Sequence, residues 1–330
     1  MLFILGFLHN MKPLPSISAQ IEEQTINKII QKNFLDIAPY YISLVNNWLI
    51  RAYEHYRDID KFIIIIYLIN QDLIFYRKNG IKIDYETFYR DKTLEIEKIN
   101  ISDISKDLQI PKESVRRKVL ELEKKGVIKK TGKKIFVDRS AFYAAQAKNT
   151  LIDLGILLHE FNKILKKNNL ANKIYEVSEI NNSIKDNFSF CWYQFYKFLF
   201  VITNRWRHAL KDLETFCIGM VVVMNAAHNK QFTPSKVTLK SYREEIMGSD
   251  MRGVNAMSIA EITGIPRPTV VRKLKILIDN KFLSINEKKL ISFNAKENSF
   301  KLITSLQNKN MESLGNFIHR LFNQIKVINS

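Results

Sequence analysis

Residues 100–137, NISDISKDLQIPKESVRRKVLELEKKGVIKKTGKKIFV, return later in the chain as residues 255–292, NAMSIAEITGIPRPTVVRKLKILIDNKFLSINEKKLIS. The two align without a gap at an offset of 155, and eight positions between 100 and 122 are identical: Asn100/Asn255, Ile104/Ile259, Ile110/Ile265, Pro111/Pro266, Val115/Val270, Arg117/Arg272, Lys118/Lys273 and Leu122/Leu277. Lys133/Lys288 and Lys134/Lys289 also match. A repeat of this length predicts a duplicated architecture.

Each copy reads as two short helices and a hairpin. Asn100 and Asn255 stand where an N-cap belongs, with a side-chain oxygen able to accept a free N–H of the first turn. Ile104 and Ile259 are each followed by a small residue, Ser105 or Ala260, which allows close helix packing. The turns are Gln109-Ile110-Pro111 and Gly264-Ile265-Pro266, and proline fits the start of the next helix because the N–H it lacks would be unpaired there. Val115, Val119 and Leu122, matched by Val270, Leu274 and Leu277, recur at helical spacing and face inward. A hairpin is expected over Val127–Val137, turning at Thr131-Gly132, with Lys129, Lys130, Lys133 and Lys134 projecting. Its counterpart is Phe282–Ser292, turning at Asn286-Glu287 beside Lys288 and Lys289. This is the pattern of a winged helix-turn-helix. The expected fold is mainly α with small β-hairpin wings: two tandem winged-helix domains with flanking helices, over residues 20–170 and 175–330.

Charge gathers in the same places. The chain carries a formal net charge of +18, and windows 112–134 and 267–289 hold +7 and +5 of it. Diffuse compositional bias would not collect charge there, so a polyanionic partner is implied. The outward face of the second helix is Lys112, Glu113, Ser114, Arg116 and Arg117 in one copy, and Arg267, Pro268, Thr269, Val271 and Arg272 in the other. Such a face suits the major groove, where arginine pairs with guanine and threonine or valine touches a thymine methyl. Lysines on a hairpin suit phosphates, which give affinity without sequence information. The expected DNA-binding set is Lys112, Ser114, Arg116, Arg117, Lys133, Lys134, Arg267, Thr269, Val271, Arg272, Lys288 and Lys289.

Flanking segments repeat the order of parts. An aromatic-rich leading helix (Ile37–Tyr56; Phe188–Leu210) precedes a very apolar one (Lys61–Tyr76; Phe216–Ala227). A polar connection of about 20 residues leads into each quoted stretch, and a long helix closes each repeat (Ser140–Lys167; Glu297–Ile328). The closing helices have wide apolar faces, through Leu151, Leu154, Phe161 and Ile164, and through Leu314, Phe317, Leu321 and Phe322, which suggests contact with the opposite repeat.

These residues resemble bacterial winged-helix transcription regulators, and the order of parts is most similar to the MarR family; SVRRKVLELEKKGVI looks like that group's recognition helix running into its wing. The resemblance implies DNA binding by paired winged helices, a small-molecule effector, and dimerisation through the flanking helices. This chain looks like both protomers fused, a monomer acting as a pseudo-dimer.

Other chemistry is not visible. No phosphate-cradling glycine loop, HExxH, nucleophile elbow or paired-cysteine motif occurs, so neither enzyme nor cofactor is expected. Cys191 and Cys217 read as buried thiols of a reducing compartment. The opening MLFILGFLHN is too short to span a membrane and lacks a basic flank, and Met11 is an alternative start. No membrane partner and a cytoplasmic, nucleoid-associated location are expected. The leading function is a sequence-specific double-stranded-DNA-binding transcriptional regulator reading an imperfect inverted repeat. A plasmid-type replication initiator and a tandem winged-helix interaction scaffold are the alternatives.

Overall fold

Helices dominate the chain, small antiparallel strand pairs complete it, and the order of elements runs through one series twice. The computed structural model describes residues 20–90, 93–96, 100–131, 134–138, 147–228, 239–247 and 253–329. The first series is α1 (Glu23–Lys32), α2 (Phe34–Tyr56), α3 (Ile59–Lys78), α4 (Tyr85–Arg90), β1 (Thr93–Ile96), α5 (Ile101–Leu108), α6 (Lys112–Lys124), β2 (Ile128–Thr131), β3 (Lys134–Asp138) and α7 (Lys148–Lys167). The second is α8 (Val177–Asp186), α9 (Phe188–Leu210), α10 (Leu213–His228), α11 (Leu239–Ile246), α12 (Ala256–Thr263), α13 (Arg267–Asp279), β4 (Leu283–Ile285), β5 (Ile291–Phe293) and α14 (Glu297–Asn329).

Each series opens with a short helix that the sequence reading left out, inside the bounds it gave to the repeats. α1 and α8 are both ten residues long, and α2 and α9 are both 23. Neither α1 nor α8 was expected. The sequence reading also has no strand where β1 lies. β1 pairs antiparallel with β3, giving the strand order β1-β3-β2. Among the described residues of the second series, an isolated bridge, Val254 to Ile291, stands at the equivalent place beside β4 and β5. Gly253 is needed there, because a Cβ would stand 2.8 Å from the Ile291 carbonyl oxygen. α7 begins at Lys148; residues 140–146 of the expected helix lie outside the described residues.

The two series are wound together. α1 packs on α14 and α8 on α7, so each opening helix lies on the closing helix of the other half. Likewise α3 packs on α9 and α10 on α2. Reciprocal contacts of this kind are what a two-fold axis produces between identical subunits. The closing helices also pack on α2 and α9 of their own halves, which accounts for their wide apolar faces. Phe161 of α7 meets Phe322 of α14 edge-on, with ring centroids 5.8 Å apart. Buried apolar side chains of both halves form one continuous cluster.

Polar detail repeats across the same junction. Asn323 of α14 accepts from the Ile21 N–H at 3.0 Å and donates to the Ile21 carbonyl at 2.9 Å. Asn162 of α7 does the same for the chain entering α8, accepting from the Tyr175 N–H at 2.6 Å and donating to the Lys173 carbonyl at 3.1 Å. Gly315 and Gly155 let the helices close: a Cβ would stand 1.7 Å from Asn27 Oδ1 at the first and 2.3 Å from Asn181 Oδ1 at the second. Both cysteines are buried free thiols, and burial pushes the Cys191 thiol up to about 12. Among the described residues no helix is long and apolar enough to cross a membrane.

One local strain is open to repair. The residue after α5 is Gln109, with φ at 53°, while its counterpart after α12 is Gly264, with φ at 66°. A left-handed backbone costs a side-chain-bearing residue about 1–2 kcal/mol, which glycine avoids at some expense in unfolded-chain entropy. Gln109→Gly is therefore expected to raise unfolding free energy by about 0.5–1 kcal/mol. A shift of the urea midpoint to higher concentration, with unchanged slope, would show it.

Candidate nucleic-acid interface

α5 and α6, and likewise α12 and α13, are paired helices joined by a tight turn. After α5, the Ser105 hydroxyl donates to the Ile110 carbonyl at 2.7 Å. After α12, Thr263 takes over the role: its hydroxyl donates to the Ile259 carbonyl at 2.7 Å and accepts from the Ile265 N–H at 3.2 Å. Ile110 and Ile265 are buried, which fixes the angle at which the next helix departs. Pro111 and Pro266 are the N-caps of α6 and α13. Asn255 caps α12 through a 2.9 Å bond from the Ser258 N–H, as expected. Asn100 makes no side-chain cap bond, and there the expectation is corrected: its backbone carbonyl accepts from the Asp103 and Ile104 N–H groups instead.

Each of α6 and α13 is pinned from beneath by a buried lysine. Lys118 forms an ion pair with Asp58, and its Nζ lies 3.7 Å from Asp60. Lys273 reaches Asp212 at 2.6 Å and Thr215 at 3.4 Å. Both lysines are less than a tenth exposed. The aspartates have a second task, since Asp58 accepts from the Lys61 N–H at 3.2 Å and Asp212 from the Thr215 N–H at 2.7 Å, capping α3 and α10. One carboxylate thus holds both the start of an inner helix and the middle of an outer one. Burial alone would raise the Asp212 carboxyl, but Lys273 and the Thr215 bonds outweigh it and hold it below its ordinary value.

A second set of clamps crosses between the halves. Arg207 of α9 donates to the Leu108 carbonyl at the end of α5 at 2.9 Å and pairs with Asp60. Arg57, just past α2, donates to the Gly264 carbonyl after α12 at 3.1 Å. A cation at a helix C-terminus opposes the negative end of its dipole. Each half therefore helps to set the position of the other half's outer helix pair.

With Lys118 and Lys273 turned inward, the outward faces are short and basic. Lys112, Arg116 and Arg117 on α6, and Arg267, Val271 and Arg272 on α13, are exposed; Ser114 and Thr269 are half-buried. Lys134, Lys288 and Lys289 are exposed on or beside the hairpins, while Lys133 lies outside the described residues, as does Gly132 of the expected turn. The register pairs Thr131 with Lys134, so Thr131 belongs to strand β2 and not to the turn where it was expected. In the second hairpin Asn286 closes the turn, its side chain accepting from the Leu290 N–H at 2.9 Å.

The two faces differ in what restrains their cations. Arg116 lies 3.8 Å from Glu113, Arg117 lies 3.9 Å from Glu121, Lys130 lies 3.5 Å from Glu123, and Lys134 pairs with Glu95 of β1. Glu121 is itself tied to Lys61, whose ammonium holds its carboxyl below the usual range. Glu95 escaped the sequence reading because β1 did. The aspartate anchors left a trace, Asp58-Ile59-Asp60 against Asp212-Leu213-Glu214, but such pairs ahead of an apolar helix read as ordinary caps.

Behind the second outward face lies an apolar cavity of about 110 Å³, between α2, α9, α10, α11, α13, α14 and the second hairpin. Phe34, Tyr41, Trp206, Phe216 and Gly219 line it, with Arg243 and Gln307 at one edge.

Compared with family models, with curated proteins and with solved structures, the chain matches none.

Proposed function

We propose that this chain is a sequence-specific double-stranded-DNA-binding transcriptional regulator built from two winged helix-turn-helix units, 20–170 and 175–330. In this reading α6 and α13 enter the major groove at two half-sites of an imperfect inverted repeat. The observation that carries it is the pairing of two exposed basic helices at equivalent places in halves that pack reciprocally. One chain would then do what a symmetric dimer does, and act as a monomer in the nucleoid. The clamps from Arg57 and Arg207 make the spacing of the two helices a property of the whole fold. The apolar cavity beneath α13 is where a small-molecule effector would act on that spacing.

In this reading the helix arginines specify and the hairpin lysines position. Arg117→Ala and Arg272→Ala are each expected to reduce discrimination between the selected site and random duplex by about 5- to 150-fold, the worth of a bidentate base contact. Lys133→Ala and Lys134→Ala are expected to weaken both duplexes alike. Anisotropy titrations on the two duplexes separate these outcomes, and equal loss on both for the arginine variants would contradict the assignment.

A further inference from the structure

Duplication supplies a control inside the molecule, since each exposed position of one unit can be read against its partner in the other. Val271 of α13 is 48 % exposed, and its partner on α6 is Arg116. The exposed Met257, Ile262, Ile276 and Ile285 stand opposite Ser102, Asp107, Glu121 and Lys130. At these positions the second unit shows solvent an apolar side chain where the first has a polar or charged one; the reverse holds at Leu120, 45 % exposed on α6 opposite Lys275, one turn further from the helix start than Arg116. Pro268 replaces Glu113. No carboxylate occurs on α13 before Asp279, whereas on α6 Glu113 lies beside Arg116 and Glu121 beside Arg117.

We infer that the two helices read half-sites of different base class: α13 a thymine-rich one, through Pro268 and Val271, and α6 a G·C-rich one, through Glu113, Arg116 and Arg117. This rests on the DNA-binding reading above and adds to it the identity of the bases. Valine can neither donate nor accept a hydrogen bond. Set against a base edge, it leaves that edge's polar atoms unpaired, at a cost of about 1–3 kcal/mol for each desolvated group. The thymine C5 methyl is the one apolar group that the bases offer in the major groove, so contact with it is where Val271 gains. Arg267 flanks this apolar patch, is exposed and forms no ion pair among the described residues, which leaves it to hold a phosphate, while Arg272, equally exposed, keeps the single base contact assigned to it above.

α6 has the opposite chemistry. A carboxylate facing DNA is repelled by phosphates and finds a donor in the major groove on the exocyclic amine of cytosine or adenine, with cytosine the usual partner. The pair Glu113–Arg116 is long and mostly exposed, so it opens at little cost. Glu113 is then free for cytosine while Arg116 and Arg117 take guanine.

The test uses the full chain and its selected duplex, with thymine replaced by deoxyuridine, which lacks only the methyl. Each contacted methyl is expected to contribute about 4-fold in affinity, from the transfer free energy of a buried methyl-sized group. Deoxyuridine in the second half-site should therefore weaken binding about 4-fold per contacted position, while the same change in the first should not. Val271→Arg, which copies the first unit at an exposed position, should abolish that sensitivity and shift the selected base under it to guanine. A second half-site that lacks thymine, or that binds equally well with deoxyuridine, would overturn this inference and leave the DNA-binding reading standing. Absence of specific binding to any duplex would overturn both.

Discussion

Raising monovalent salt from 50 to 200 mM is expected to weaken duplex binding about 10⁴-fold. Each phosphate neutralised by a lysine or arginine releases condensed counterions, and about four phosphates per unit give a slope of log K against log salt near −7. The two outward faces with their hairpins carry most of the +18 net charge. Not all of it is available. Lys118 and Lys273 are buried in ion pairs, and Arg116, Arg117, Lys130 and Lys134 each lie near a carboxylate. Lys112, Lys124, Lys125 and Lys129 in the first unit, with Arg267, Arg272, Lys275, Lys288 and Lys289 in the second, remain exposed and outside those pairs. A slope shallower than about −2 in an anisotropy titration would point instead to a scaffold that docks protein partners.

Lys273→Met is expected to cost about 3 kcal/mol of stability. Removing one partner of a buried pair strands the other charge, and that typically costs more than the pair was worth. Here Asp212 would be left beneath α13 with only the Thr215 hydrogen bonds. The double variant Asp212→Asn with Lys273→Met should recover a good part of the loss, since contacting residues are not additive. The sign with pH follows from the carboxyl. Asp212 is lowered in the folded chain from an ordinary value of 3.8. Its contribution is therefore fully present above that value and is lost as pH falls through the folded one. As pH is taken below 3.8 the native chain should lose stability in part through this group, and the double variant should lose less. Thermal or urea unfolding across that range measures both effects.

The repeat made the outer helices legible because they carry strong punctuation: aliphatics at helical spacing and a turn ending in Pro111 or Pro266. The long flanking helices were legible from their apolar length. What escaped was short or depended on the opposite half. α1 and α8 hold ten residues each, with only Ile26, Ile29 and Ile30, or Ile180 and Ile184, buried among their hydrophobic residues. Their stability comes from lying on α14 and α7, which no local pattern records. β1 has four residues alternating exposed and buried, too few for periodicity to separate from a loop. Lys118 and Lys273 matched in the alignment and counted as surface charge, yet both are anchors. Asn100 and Asn255 are identical residues at identical places, but only Asn255 caps through its side chain.

Selection of bound sites from random duplex DNA, carried out with the full chain alongside light scattering, decides whether one chain acts as a pseudo-dimer. A single 38.7 kDa chain in solution is expected. The selected site should hold two inverted half-sites, about ten base pairs apart between centres, with different base preferences; this is the pseudo-dimer model. A stable dimer in which each chain uses one unit, a site built from direct repeats, or two half-sites that cannot be told apart would contradict it.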